Sequence, residues 1–231
     1  MRRLGLFQRV GRIFFVLALL AAPLLANSVK VVCIDPGHPS EIGPGTTGRK
    51  LTEMRANWTE AVLLRTRLRK AGIKVVLTKS SEDEFVPNRR RAEIANHAHA
   101  DLLIRLHCDA AVGTGFTTYI PLQQGSDRGF TGPSERVIRL SRSKGMAFHR
   151  ALAASLDGKL QDNGLKGDQA TTVGSKHGAL IGSIYSKVPV VLVEMVVLTN
   201  PKDEAFLLSK RGQNSMADAL AAGALAALRA K

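Results

Sequence analysis

Cysteine is nearly missing from this chain. Cys33 and Cys108 are too few for a disulfide framework, and both stand in apolar, strand-like runs, where they read as buried thiols. Aromatic residues are also sparse, at 5% with one tryptophan. None interleaves with the basic stretches near residues 65–70, 89–91 and 136–144, so these read as solvated surface and not as a nucleic-acid track. Acidic residues are outnumbered, 19 against 33 lysines and arginines, for a formal charge of +14. That imbalance favours an anionic partner. No internal repeat or low-complexity segment occurs. No HExxH motif places two metal ligands on one helix face. The uncharged apolar run at 13–25 falls short of the roughly 20 residues a membrane helix needs.

That run has a different meaning. Arg2, Arg3, Arg9 and Arg12 precede it and small residues follow around Ala26, the layout of a secretory signal. Residues 1–26 are therefore expected to be a signal peptide or an N-terminal anchor that tethers the chain to a membrane, with the remainder exported to the periplasm or cell wall. Taking those four arginines from +14 leaves +10 on residues 27–231. Export argues against nucleic acid and towards an acidic wall polymer. About 205 residues suffice for one filled core, and a monomer is expected.

Along the chain, 31–34 reads as a doubly buried strand stopped by Asp35-Pro36-Gly37, which delivers His38 to its carboxyl tip. A Gly/Pro-rich loop leads to a helix at 53–70, with Met54, Trp58, Ala61, Leu64 and Leu68 on its apolar face. Strands follow at 73–78, 102–107 and 116–120, with a helix at 87–98 between the first two. Residues 123–144 read as a long irregular stretch, 145–162 as a helix, 180–184 as a weak strand and 188–197 as a central strand. Helices close the chain at 201–209 and 212–230. Strand–helix alternation calls for parallel pairing. The expected fold is α/β: a single-domain, three-layer sandwich with a mostly parallel, mixed twisted sheet of about six strands and helices on both faces.

Polar groups stand where these apolar elements end. His38 follows the first strand, Glu53 opens the first helix, His107 ends the third strand, and Glu194 interrupts the last. Two histidines and one carboxylate from separate elements match a catalytic zinc site, which keeps a fourth position for water. A further carboxylate, not bound to the metal, must relay the water's proton. Glu194 suits that part, since an ionised glutamate is seldom buried without a partner. His97 and His99 read as surface residues and His149 as structural or exposed, while His177 is a substrate-contact candidate. Asn57 and Arg91 read as residues that brace the site, while turn-making alone accounts for Asp35, with orientation of a neighbouring group as its alternative.

These residues also carry a resemblance. Val32-Cys33-Ile34-Asp35-Pro36-Gly37-His38, Glu53 with Asn57, the segment from Arg91-Ala92-Glu93 to Ile104-Arg105-Leu106-His107, and Val191-Leu192-Val193-Glu194 with Leu198-Thr199-Asn200 occur in order. From about residue 29 onward the chain resembles the zinc-dependent N-acetylmuramoyl-L-alanine amidases of the amidase-3 type. The resemblance implies hydrolysis of the amide between muramic acid and L-alanine in peptidoglycan or muropeptides. It further implies Zn2+ held by His38, Glu53 and His107, with Glu194 catalytic. Pro39, Asp109 and Val196-Val197 depart from the family pattern and could reshape the substrate groove. Residues 123–144 look too short and glycine-rich for the autoinhibitory helix of some relatives, so constitutive activity is expected. Two rivals remain: a wall-binding relative without turnover, and a cysteine amidase built on Cys108.

Overall fold

The computed structural model describes residues 29–231, so the expected leader at 1–26 lies outside the described residues. The chain runs β1 (Val31–Pro36), α1 (Glu53–Lys70), β2 (Lys74–Leu77), α2 (Asn88–His97), β3 (Leu102–Asp109) and β4 (Phe116–Ile120). A small hairpin follows, β5 (Gly125–Asp127) and β6 (Phe130–Gly132), and then α3 (Glu135–Leu156). The rest is β7 (Asp162–Gly167), α4 (Thr172–His177), α5 (Ile181–Ile184), β8 (Val190–Val197), α6 (Pro201–Leu208) and α7 (Lys210–Arg229). Among the described residues, no helix is long and apolar enough to cross a membrane.

The main sheet has the order β2-β1-β3-β8-β4-β7. The strands β2, β1, β3 and β8 are mutually parallel, and β4 pairs antiparallel with β8. The carboxyl ends of β1, β3 and β8 therefore open on one edge of the molecule, where open α/β sheets gather ligands. Strand pleating sorts side chains between the two faces. Val32, Ile34, Leu102, Ile104, Leu106, Val191, Val193 and Met195 enter the larger core under α1, α3 and α7. Cys33, Leu103 and Val190 face α2, on which α5 packs. Each fully buried leucine here contributes about 1.5–3 kcal/mol. The three-layer expectation holds.

Four local expectations do not. Residues 180–184 form a short helix instead of a strand, because both edges of β8 are already taken by β3 and β4; five apolar residues alone do not set a period. Residues 123–144 are not irregular: they hold the hairpin and the first turns of α3, whose N-cap Ser134 accepts from the Val137 amide. Gly145 does not start that helix but sits inside it, where a Cβ would meet the Ile120 side chain at 2.6 Å. The 145–162 helix ends at Leu156, and 162–167 is the edge strand β7, too polar to show alternation. The buried stripe of α1 is also rotated towards Glu53, Asn57 and Glu60, leaving Met54 and Trp58 half-buried.

Glu60 is 1% exposed, and neither carboxylate oxygen has a hydrogen-bond partner among the described residues. Burial pushes its carboxyl up to about 8, against a smaller opposing pull from Arg67. The folded carboxyl then keeps its proton where the unfolded one ionises, so stability is fully present below about pH 4.5 and declines as pH rises to about 8. A shift of that size corresponds to on the order of 5 kcal/mol. Chemical denaturation of wild type and Glu60→Gln at pH 5 and pH 8 checks this: the wild type should lose a few kcal/mol over that interval and the variant much less.

Candidate metal centre

Glu53 anchors the site because the chain caps α1 just before it. The Thr52 side chain accepts from the Arg55 amide, which fixes the helix start, and Glu53 points inward at 3% exposure. Its Oε2 accepts from the Thr46 amide at 2.8 Å, so the glycine-rich loop wraps around the carboxylate. Its Oε1 accepts from the Cys108 amide at 3.1 Å and from Asn57 Nδ2 at 3.4 Å. That same oxygen lies 3.0 Å from His107 Nδ1 and 3.3 Å from His38 Nε2.

His38 is held from the other side. Its Nδ1 is 2.9 Å from the Gly43 carbonyl, which can only accept, so Nδ1 carries a proton; Nε2 faces Glu53, donating to it when the ring is protonated and free to offer a lone pair to a cation when the ring is neutral. The residue adopts φ 57°, a region in which non-glycine residues are uncommon. Lys79 donates to the His38 carbonyl and to that of Glu82, and burial brings its ammonium down to about 8. Gly37 must lack a side chain, since a Cβ there would collide with the His107 imidazole.

The two imidazoles meet edge to face with centroids 5.1 Å apart. Ligand atoms of His38, Glu53 and His107 all lie within 4.8 Å of one another. A tetrahedral zinc with bonds of about 2.0–2.1 Å holds its ligands roughly 3.4 Å apart, close to the 3.0 and 3.3 Å separations about Glu53 Oε1. His107 Nε2 is buried with no hydrogen-bond partner among the described residues. Two nitrogens and an anionic oxygen from three elements thus fit a divalent cation of the zinc type.

Titration follows the same geometry. Burial pushes the Glu53 carboxyl up, but hydrogen bonds and charge from His107 and His38 win and hold it well below the usual range. Burial pulls the His38 imidazole down, and Glu53 outweighs it to leave His38 above its ordinary value. For His107 burial prevails and the imidazole stays below it.

Glu194 reaches the cleft by register. In the parallel β3–β8 ladder it pairs with His107, and both side chains point to the α2 side of the sheet. Its Oε2 is buried with no partner among the described residues. Burial first, then Glu53 and Asp109, push its carboxyl well up, with Arg105 opposing. The cleft measures about 180 Å³ and is walled by Ile42, Thr172, Val173, Leu180 and Leu192.

Sequence reasoning located His38, Glu53, His107 and Glu194, and the fold brings all four together. It missed Arg105 and Asn88, which also line this cleft; the charged break that Arg105 makes in an apolar strand was the available signal. His177 does not line it: its Nδ1 lies 3.1 Å from the Ser126 carbonyl on the hairpin. His149 is structural, bridging Thr118 and Asp162, and His97 and His99 are exposed. Val196 and Val197 are buried, Val196 in the larger core, and neither lines the cleft. Cys108 faces that core, 3.7 Å from Asn57 Oδ1, and burial pushes its thiol well up; a thiolate nucleophile has no access to the cleft from there.

Comparison with known proteins agrees with this geometry. A sporulation-specific N-acetylmuramoyl-L-alanine amidase of Bacillus subtilis (strain 168) is 36% identical over 91 residues, 38% of this chain and only 35% of that protein. A germination-specific N-acetylmuramoyl-L-alanine amidase of the same organism is 25% identical over 221 residues, covering 87% of this chain and 81% of that one. The catalytic domain of CwlV, an N-acetylmuramoyl-L-alanine amidase from Bacillus (Paenibacillus) polymyxa var. colistinus, superposes with a TM-score of 0.66 at 26% identity, over 84% of this chain and 96% of that one. Residues 32–226 match the N-acetylmuramoyl-L-alanine amidase family model, a span that takes in all four cleft residues, and the chain belongs to that family.

Proposed function

We propose that this chain is an exported, zinc-dependent peptidoglycan amidase that hydrolyses the bond between the muramic lactyl group and L-alanine. The observation that carries the reading is the convergence of His38, Glu53 and His107 within 4.8 Å of one another, with the unpartnered Glu194 carboxylate oxygen directly across the ladder. His38, Glu53 and His107 would hold Zn2+. Such an ion, when bound, polarises a carbonyl and brings the pKa of water from about 15.7 to about 7.

The chain's own groups supply the rest. Glu194 takes the proton of the attacking water and passes it to the departing amine; its raised affinity for a proton suits the second task. Thr46, Cys108 and Asn57 hold the Glu53 carboxylate in place. The walls at Val173, Leu180 and Leu192 exclude bulk water from one side of the cleft. No residue of 123–134 lines the cleft, which supports activity without an activator, and the basic surface suits an anionic wall polymer.

The test is digestion of muropeptides by the purified chain with mass analysis of products. Peptides with a free N-terminal L-alanine, and glycan carrying a free lactyl carboxyl, are expected. Their formation should stop with a chelator, resume with added zinc, and ignore thiol alkylation. Intact muropeptides in the presence of bound zinc would instead point to a wall-binding relative without turnover.

A further inference from the structure

Some distance from the catalytic cleft, the outer face of α2 meets the β5–β6 hairpin in a pocket of about 600 Å³. Phe130 of the hairpin is 45% exposed, and its ring stacks on Tyr185 with centroids 4.9 Å apart and planes at 15°. The Arg89 guanidinium lies 5.0 Å from the centre of the same Tyr185 ring. Tyr185 is itself fixed, donating from its hydroxyl to Asp127 Oδ2 at 3.0 Å. Arg128 and Lys187 line the pocket, both exposed and with no carboxylate partner within 4 Å among the described residues. The one acid in the lining, Glu93, is already shared between Arg89 at 2.9 Å and Arg90 at 3.6 Å.

An aromatic plane rimmed by unpaired cations suits a flat ligand with C–H faces and a carboxylate. The reaction proposed above makes one. Adding water across the lactyl amide leaves a carboxylate on the sugar and an ammonium on the peptide, so a neutral linkage becomes an anionic group on each processed muramic residue. The far edge of the pocket borders Val188, six residues before Glu194, which puts that edge roughly 20 Å along the strand direction from Glu194. At their near edges the two sites adjoin: Ile181 of α5 lines the cleft, and Tyr185, the residue that ends this one-turn helix, lines the pocket, about 6 Å further along the chain. A polymer strand crossing one site can reach the other.

We propose that the pocket formed by Phe130, Tyr185, Arg89, Arg128 and Lys187 is a second saccharide site that holds glycan whose muramic carboxylates have been freed. This assignment rests on the amidase reading and deepens it: the enzyme would stay on strand it has already stripped.

Stripped glycan strands contain no scissile bond, so wild-type protein can be titrated with them directly. Phe130→Ala/Arg128→Asn removes the exposed ring and one cation, asparagine being chosen because residue 128 sits at φ 50°. Binding of stripped strand should weaken at least tenfold in the double variant and, independently, several-fold in Lys187→Gln. Neutral chito-oligosaccharide and free stem peptide should each bind wild type at least tenfold more weakly than the stripped strand. Hydrolysis of a short soluble muropeptide, with no strand to span both sites, should be unchanged in all variants. Equal binding of stripped strand by wild type and both variants would overturn the assignment, as would equal binding of the neutral sugar or of the peptide. Loss of muropeptide hydrolysis in wild type would instead remove the amidase reading, and the binding titration is read without it.

Discussion

Glu194→Gln is expected to lower kcat by about 10²–10⁴, the usual contribution of general acid–base catalysis, while the protein still binds one equivalent of zinc. Glutamine keeps the shape and the cleft-facing position opposite His107 but can neither take nor deliver the proton. The fold should tolerate the change, because burial already disfavours the ionised form of Glu194 and a neutral amide relieves that cost. His107→Ala makes the informative contrast. It removes a proposed metal ligand and leaves Glu53 one hydrogen bond poorer, so metal content and activity should vanish together. Metal analysis beside steady-state kinetics separates the two. A Glu194→Gln enzyme within threefold of wild type would show that another group moves the proton, and zinc retained at full stoichiometry by His107→Ala would displace the ligand assignment.

How much of this was legible in the sequence follows from what each signal measures. The β-branched runs at 31–34 and 188–197 report burial on both faces, and β1 and β8 are indeed interior strands of the sheet. His107 and Glu194 could be seen as polar ends of apolar runs, but their pairing could not, because register is a property of two strands. The Asn200 cap went unread although asparagine before a proline at the first helical position is a local signal; its side chain accepts from the amides of Lys202 and Asp203. Gly145 misled because a glycine tolerated for close helix–strand approach looks in sequence like a helix boundary. The wall at Thr172, Val173 and Leu180 gave no signal. It is set by Asp168, whose Oδ2 accepts from the Leu180 amide across twelve residues, a long-range choice no local pattern encodes.

Asp35→Asn is expected to be the most destabilising conservative substitution outside the metal site. Asp35 is fully buried. Its Oδ1 accepts from the Thr78 hydroxyl at 2.6 Å and from Arg91 Nη1 at 2.7 Å, and its Oδ2 from Arg105 Nε at 2.9 Å. One carboxylate thus balances two guanidinium groups that are themselves only 1% and 3% exposed. Removing its charge leaves both cations buried and facing each other, at a cost of about 3–5 kcal/mol, or roughly 6–20 °C in Tm for a chain of this size. Burial would push the Asp35 carboxyl up, but Arg91, Arg105 and Thr78 prevail and hold it well below the usual value. Its contribution is therefore present above about pH 4, the unfolded carboxylate range, and lost as pH falls through the depressed folded value. Melting curves at pH 7 and pH 3 should show a wide gap between wild type and variant that narrows in acid. The site should loosen as well, since Arg91 also donates to the carbonyls of Pro36 and Pro39, on either side of Gly37 and His38. Zinc affinity should consequently fall in Asp35→Asn even at temperatures where it is folded. A variant that melts within 2 °C of wild type at neutral pH and keeps its metal would mean that the two arginines find other partners, and that the turn presenting His38 is fixed by Lys79 and the Gly43 carbonyl alone.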